Sequence, residues 1–93
     1  MGLYMMFGKY NPDSLQEISS ERTEKAEELI KNNGGNVKDG YALLGRSDLL
    51  FIVEFPDTAS AVKTSVDMGK MFGISFATTP AVTIEEFDKM FKG

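Results

Sequence analysis

Residues 43–57 read LLGRSDLLFIVEFPD, and the five at the centre, Leu49–Val53, are apolar without interruption. Side chains along a strand alternate between its two faces. A strand that is apolar at every position therefore needs cover on both sides. Glycine within GRS makes the preceding segment a hairpin partner, so Asn36–Leu44 is expected as one strand and Asp48–Phe55 as the next. Pro56-Asp57 stops the second of these.

Working outward, Leu3–Tyr10 has the same two-faced character. Leu3, Met5 and Phe7 alternate with Tyr4, Met6 and Tyr10. Asn11 and Pro12 are helix-start residues, the proline taking a first-turn position that needs no amide donor. Leu15, Ile18, Ala26, Leu29 and Ile30 recur at helical spacing, and Ser19-Ser20 either interrupts that helix or recaps it. Asn33-Gly34-Gly35 ends it. Asp57 caps a helix reaching about Phe72, with a stripe of Ala59, Val62, Val66 and Gly69 flanked by Ala61, Ser65, Met68 and Phe72. Ile74–Val82 is a further strand. Its Pro80 cannot donate to a ladder, which places the strand at an edge. Thr83 with Glu86 is a capping box for a short amphipathic helix over 83–92, with Ile84, Phe87 and Phe91 on one side.

The succession β-α-β-β-α-β plus a terminal helix is the ferredoxin-like split unit: an α+β fold with a four-stranded antiparallel sheet and both long helices on one face. One domain spans residues 1–93, with its core in 3–82. The first and third strands are central. Lys38 and Asp39 suit an edge strand as charged guards. If Leu49, Phe51, Val53 and Phe55 pack under the helices, the opposite face shows Leu50, Ile52, Tyr4 and Met6. Such a patch exceeds what a monomer normally exposes. Face-to-face pairing of two sheets about a two-fold axis supplies the cover, so a homodimer or larger homo-oligomer is expected.

Composition narrows the chemistry. The 93 residues include no cysteine and no histidine. This removes disulfides, thiolate metal sites, the commonest neutral-pH base and the commonest haem ligand, so no cofactor or metal is expected. A net charge of −4 argues against nucleic acid. No apolar run approaches a membrane span, and MGLYMMFGKY lacks a basic, cleavable leader. Cytoplasmic residence is the expectation.

The hairpin region, together with ERTEKAEELIKNNGG, resembles the GYD-domain family of small, mostly prokaryotic proteins. The carriers are Tyr4, Ser20-Glu21-Arg22, Gly34-Gly35, Tyr41, and LGRSD followed by VEFPD. The resemblance runs over about residues 3–88. Gly45 and Asp48 match the signature that names the family, while Ser47 stands at its tyrosine position. The last strand, ISFATTPAV, lacks the arginine that family members tend to place there. The resemblance implies a dimeric α/β barrel and no particular chemistry.

Six residues are candidates for a ligand site: Tyr4, Tyr10, Tyr41, Arg46, Asp48 and Glu54. Arg46 could hold a carboxylate that Asp48 orients; the plainer role is turn-making, with Gly45 at positive φ and Asp48 accepting from turn amides. Glu54 buried between sheets could act as a base. Otherwise it pairs with Lys9, Arg46 or Arg22, or reaches solvent. The three tyrosines either line a pocket or simply pack. Met5, Met6, Met68 and Met71 read as core filler, and Glu85-Glu86 as capping residues rather than a metal pair. No residue is assigned a catalytic role.

Two functions follow. The first is a non-enzymatic small-molecule-binding or regulatory module, with a cavity between sheets for a hydrophobic or aromatic ligand. The second is a cofactor-independent oxygenase or isomerase using Glu54 as proton acceptor.

Overall fold

Gly2–Tyr10 forms β1, Pro12–Gln16 α1, Ser20–Asn32 α2, Asn36–Ala42 β2, Leu49–Phe55 β3, Thr58–Phe72 α3, Ile74–Ala81 β4 and Ile84–Met90 α4. The computed structural model describes residues 1–91. The end expected for the last helix, Lys92, lies outside them. The four strands run in the order β2-β3-β1-β4, antiparallel at every pairing. This is the ferredoxin-like arrangement, with β1 and β3 central and Pro80 on the edge strand β4. Lys38 sits where the β2–β3 register shifts, so the opposite edge carries a bulge as well as charge.

The helices start and stop on local chemistry. At α1, the Asn11 side chain accepts from the Ser14 amide (2.7 Å), and the Ser14 hydroxyl accepts from the Asn11 amide (2.8 Å). The chain then breaks. Ser19 caps α2 afresh by accepting from the Arg22 amide, so the serine pair recaps rather than continues one helix. Asp57 caps α3 through the Ser60 amide (2.8 Å), and Gly73 ends it in the left-handed region at φ 67°. Thr83 accepts from the Glu86 amide at the start of α4.

One core lies between the sheet and two helices. Met6, Val53, Phe55, Ile30 and Met68 are fully buried, joined by Tyr4, Phe51, Ala26 and Ala61. Tyr4 meets Phe55 edge-on at 5.7 Å, and its hydroxyl bonds that of Thr58 (2.8 Å). Gly8 is required by closeness: a Cβ there would stand 2.8 Å from the Phe76 ring and 2.9 Å from Leu49 Cγ.

Four expectations are corrected here. Tyr4 and Met6 lie under the helices and not on the free face. Antiparallel partners share a face, and Tyr4 opposes Val53 while Met6 opposes Phe51. Leu3, Met5 and Phe7 occupy the free face instead. Leu15 and Ile18 are exposed: α1 buries Ser14, one position before Leu15, and Ile18 lies in the break before α2; on α2 only Ala26 and Ile30 are buried. On α3 the buried line is Ala61, Thr64 and Met68, with Val62 and Val66 half in solvent. Thr64 tolerates burial because its hydroxyl donates to the Ser60 carbonyl and accepts from Asn33 Nδ2. Finally, Met71 is exposed rather than core filler.

Two outcomes test this packing. Gly8→Ala forces a methyl against Phe76 and Leu49 and is expected to cost about 1–3 kcal/mol in denaturant unfolding; an unchanged midpoint would contradict the close contact. The α3 carboxylates set the second. The Ser60 amide and hydroxyl hold Asp57 below its ordinary value of 3.8, and Lys63, with help from Asn33, does the same for Asp67. A carboxylate whose folded-state pKa is depressed contributes stability above its unfolded value and loses it as pH falls through the folded one. Asp57→Asn with Asp67→Asn should therefore narrow the stability difference between pH 7 and pH 2. An unaltered difference would contradict it.

Candidate functional site

With α2 and α3 on one side of the sheet, the other side carries Leu3, Met5 and Phe7 from β1 opposite Glu54, Ile52 and Leu50 from β3. All six are half-buried, shielded sideways by neighbours. The tail helix does not shield them: α4 buries none of its residues and packs closely against no other element. Ser75, Ala77, Thr79 and Ala81 of β4 share the face, opposite Lys9, Phe7, Met5 and Leu3. On β2 it is completed by Asn36, Asp39 and Tyr41. A bulky apolar ridge on the two central strands thus falls away to a row of small side chains along β4.

Polar groups stand at the margins. Glu54 Oε1 lies 3.7 Å from Lys38 Nζ and 3.4 Å from Asn36 Nδ2. Its partners are the adjacent edge strand's residues, in place of the expected Lys9, Arg46 or Arg22, because antiparallel register sets Asn36 directly across from Glu54. Tyr41 is exposed on this face opposite Leu50. Of the six candidate residues, the sheet brings only Tyr41 and Glu54 to it.

The other four serve elsewhere. Tyr4 is in the core. Asp48 ties β1 to the hairpin: its carboxylate accepts from the Tyr10 amide (2.8 Å), its own amide donates to the Gly8 carbonyl (2.8 Å), and its carbonyl accepts from the Leu43 amide (2.8 Å). It therefore bonds a distant strand rather than turn amides alone. The loop it closes runs from residue 43 to 48, longer than the three-residue turn expected, with Gly45 at φ 129°. Arg46 is exposed in that loop. Tyr10 packs beneath the Arg22 guanidinium, 5.1 Å from ring centroid to Cζ.

A wider cleft of about 610 Å³ opens between α1, the start of α2 and the end of α3. Its cations are already engaged. Arg22 donates to the Ser14 carbonyl and covers Tyr10, and Lys25 pairs with Glu21 at 3.3 Å. With Asp13 and Glu17 also on its wall, it has no surplus positive charge for an anion. Among the described residues no group of three or more acidic or histidine side chains could hold a metal, and no helix is long and apolar enough to cross a membrane.

Sequence reasoning missed Leu3, Met5 and Phe7 as the free-face residues of β1, because both alternations of that strand are apolar and the pattern fixes no register. It also missed the small row on β4. The alternation of Ile74, Phe76 and Thr78 with Ser75, Ala77 and Thr79 carried that signal.

The fold recurs among solved proteins. The crystal structure of the leucine response regulatory protein LrpA of Mycobacterium tuberculosis superposes with a TM-score of 0.63 at 10% identity, covering 88% of this chain and 51% of that one. A second solved structure, that of a glutamate-to-alanine mutant, superposes with a TM-score of 0.57 at 7% identity, covering 88% of this chain and 50% of that one. The chain thus spans about half the length of these solved proteins. No curated relative matches its sequence. The profile of the GYD domain does match, from residue 4 to residue 91. Nearly the whole chain is thereby accounted for, and this protein belongs to the GYD domain family.

Proposed function

We propose that the protein is a homo-oligomeric binding module. In this reading two chains pair through their free sheet faces and hold a small apolar or aromatic molecule between them. The observation that carries it is the uncovered ridge of Leu3, Met5, Phe7, Leu50 and Ile52. Lateral neighbours already shield these side chains, so what is left to cover is less than their full size. At roughly 50 Å² each it is about 250 Å², or about 6 kcal/mol per protomer before the entropy of association. Over two chains, about 12 kcal/mol, the gain is of the same size as the cost of association, which leaves the balance sensitive to whatever fills the interface.

Space for a ligand comes from the relief of the face. Where ridge meets ridge, two sheets pack at about 10 Å. Over Ser75, Ala77, Thr79 and Ala81 the side chains are too short to meet a partner and leave room. The walls of that room are apolar, with hydroxyls from Ser75 and Thr79 at hand. Such a composition suits a flat apolar molecule bearing a polar group or two.

LrpA is a regulatory protein by its description; a regulatory use of ligand binding fits this chain by the same architecture. The pairing of Glu54 with Lys38 and Asn36 favours a rim role for it over that of a proton acceptor.

The test is thermal unfolding with a panel of small aromatics, indole and 2-naphthol among them, on the native chain and on Ile52→Asp. The native chain should gain in Tm with increasing compound, as binding to the folded state requires. Ile52→Asp should lose that gain while keeping its circular dichroism. No shift with any compound, or equal shifts in both chains, would overturn the proposal.

A further inference from the structure

Asn33 stands where α2 ends, and its side chain ties that end to α3. Its Nδ2 donates to the Thr64 hydroxyl (3.0 Å) and to Asp67 Oδ2 (3.3 Å). Among the described residues no other hydrogen bond joins these two helices. Both acceptors are committed. The Thr64 hydroxyl gives its only proton to the Ser60 carbonyl (2.8 Å), so toward Asn33 it can only accept. The Asp67 carboxylate has no proton to give at neutral pH, and Lys63 Nζ lies 2.7 Å from the same oxygen. Position 33 must therefore supply two donors. The amide of asparagine does so; a carboxylate of the same shape supplies none and sets its charge against that of Asp67.

The next residue is fixed by the backbone. Gly34 has φ 89°, in the left-handed region that favours glycine, where the chain turns out of α2. The fold thus requires an amide at one position and glycine at the next, and that pair is chemically labile. Without a Cβ on the following residue, its backbone nitrogen approaches the asparagine side-chain carbon unhindered. Of the four asparagines in the chain, Asn33 alone precedes glycine.

We propose that Asn33 is a site of spontaneous covalent modification, where hydrolysis of its side-chain amide unties α2 from α3. The Gly34 nitrogen bonds to Asn33 Cγ, its proton leaves with Nδ2 as ammonia, and a cyclic imide results. Water then adds to either imide carbonyl and breaks that carbon's bond to nitrogen. The product carries a carboxylate at position 33, as aspartate or, where the main chain now runs through Cγ, as isoaspartate. Folding holds the reaction back: the Gly34 amide donates to the Lys31 carbonyl (3.0 Å), and Thr64 and Asp67 hold the Asn33 amide. It proceeds from molecules in which the end of α2 has opened. The modified chain opens more readily still, so the step marks irreversibly a chain that has once come loose. This inference depends on neither the sheet pairing nor a bound molecule.

The test incubates the native chain at mildly alkaline pH, folded and in urea, and follows tryptic fragment 32–38 by mass spectrometry. Conversion should fall on Asn33 and not on Asn32 or Asn36. It should be about tenfold slower or more in the folded chain, as a required opening demands. The modified chain, separated by its added negative charge, should have a lower Tm than the native one. Asn33→Asp should also lower Tm. Adding Asp67→Asn to that variant should cost less Tm than Asp67→Asn costs the native chain, because it relieves the like charges. Equal rates in the folded chain and in urea would overturn the proposal. So would an unchanged Tm of the modified chain, or equal costs of Asp67→Asn in the two backgrounds.

Discussion

Two strands, β1 and β3, are apolar on both of their faces, and the chain has only two long helices with which to cover them. Those helices lie on the same side of the sheet because each βαβ crossover keeps one hand. Everything else in the molecule is arranged around this shortage. Phe51, Val53 and Phe55 take the helix-covered side together with Tyr4 and Met6, and the register that puts them there sends Leu3, Met5, Phe7, Leu50 and Ile52 outward. The helix-covered side resembles the inside of any small domain. Its counterpart is shielded only edgewise.

The polar residues follow from the same division. Asp48 fastens the hairpin to the end of β1 and so fixes the register of the two central strands. Glu54, Asn36 and Lys38 stand at one corner of the outer surface, where charge limits how far an apolar contact can spread. The descending relief from β1 to β4 means that a flat partner cannot touch every part of the surface at once.

Much of the fold was legible because punctuation was strong. Asn11-Pro12, Gly34-Gly35, Asp57, Gly73 and Pro80 marked the element ends, and Pro80 marked the edge. The helix faces were harder. Val62 and Val66 look like core by hydropathy, yet Thr64 took the buried place because Ser60 and Asn33 satisfy its hydroxyl. Register in β1 was out of reach, since an apolar residue at every position gives no preference between two faces. For the site, the residue types most associated with chemistry misled. Tyr4, Tyr10 and Asp48 are engaged within the fold, and the face left without helices is made of Leu, Met, Ile and Phe, which announce nothing by themselves.

The central claim is that a second copy of the chain supplies the missing layer. Sedimentation equilibrium of the purified protein over a wide concentration range tests it most directly. A single chain weighs 10.3 kDa. The account predicts a mass of two chains or a multiple of two, giving way to the single-chain mass on dilution. A mass of one chain at the highest concentration reached, with the protein folded, would contradict it.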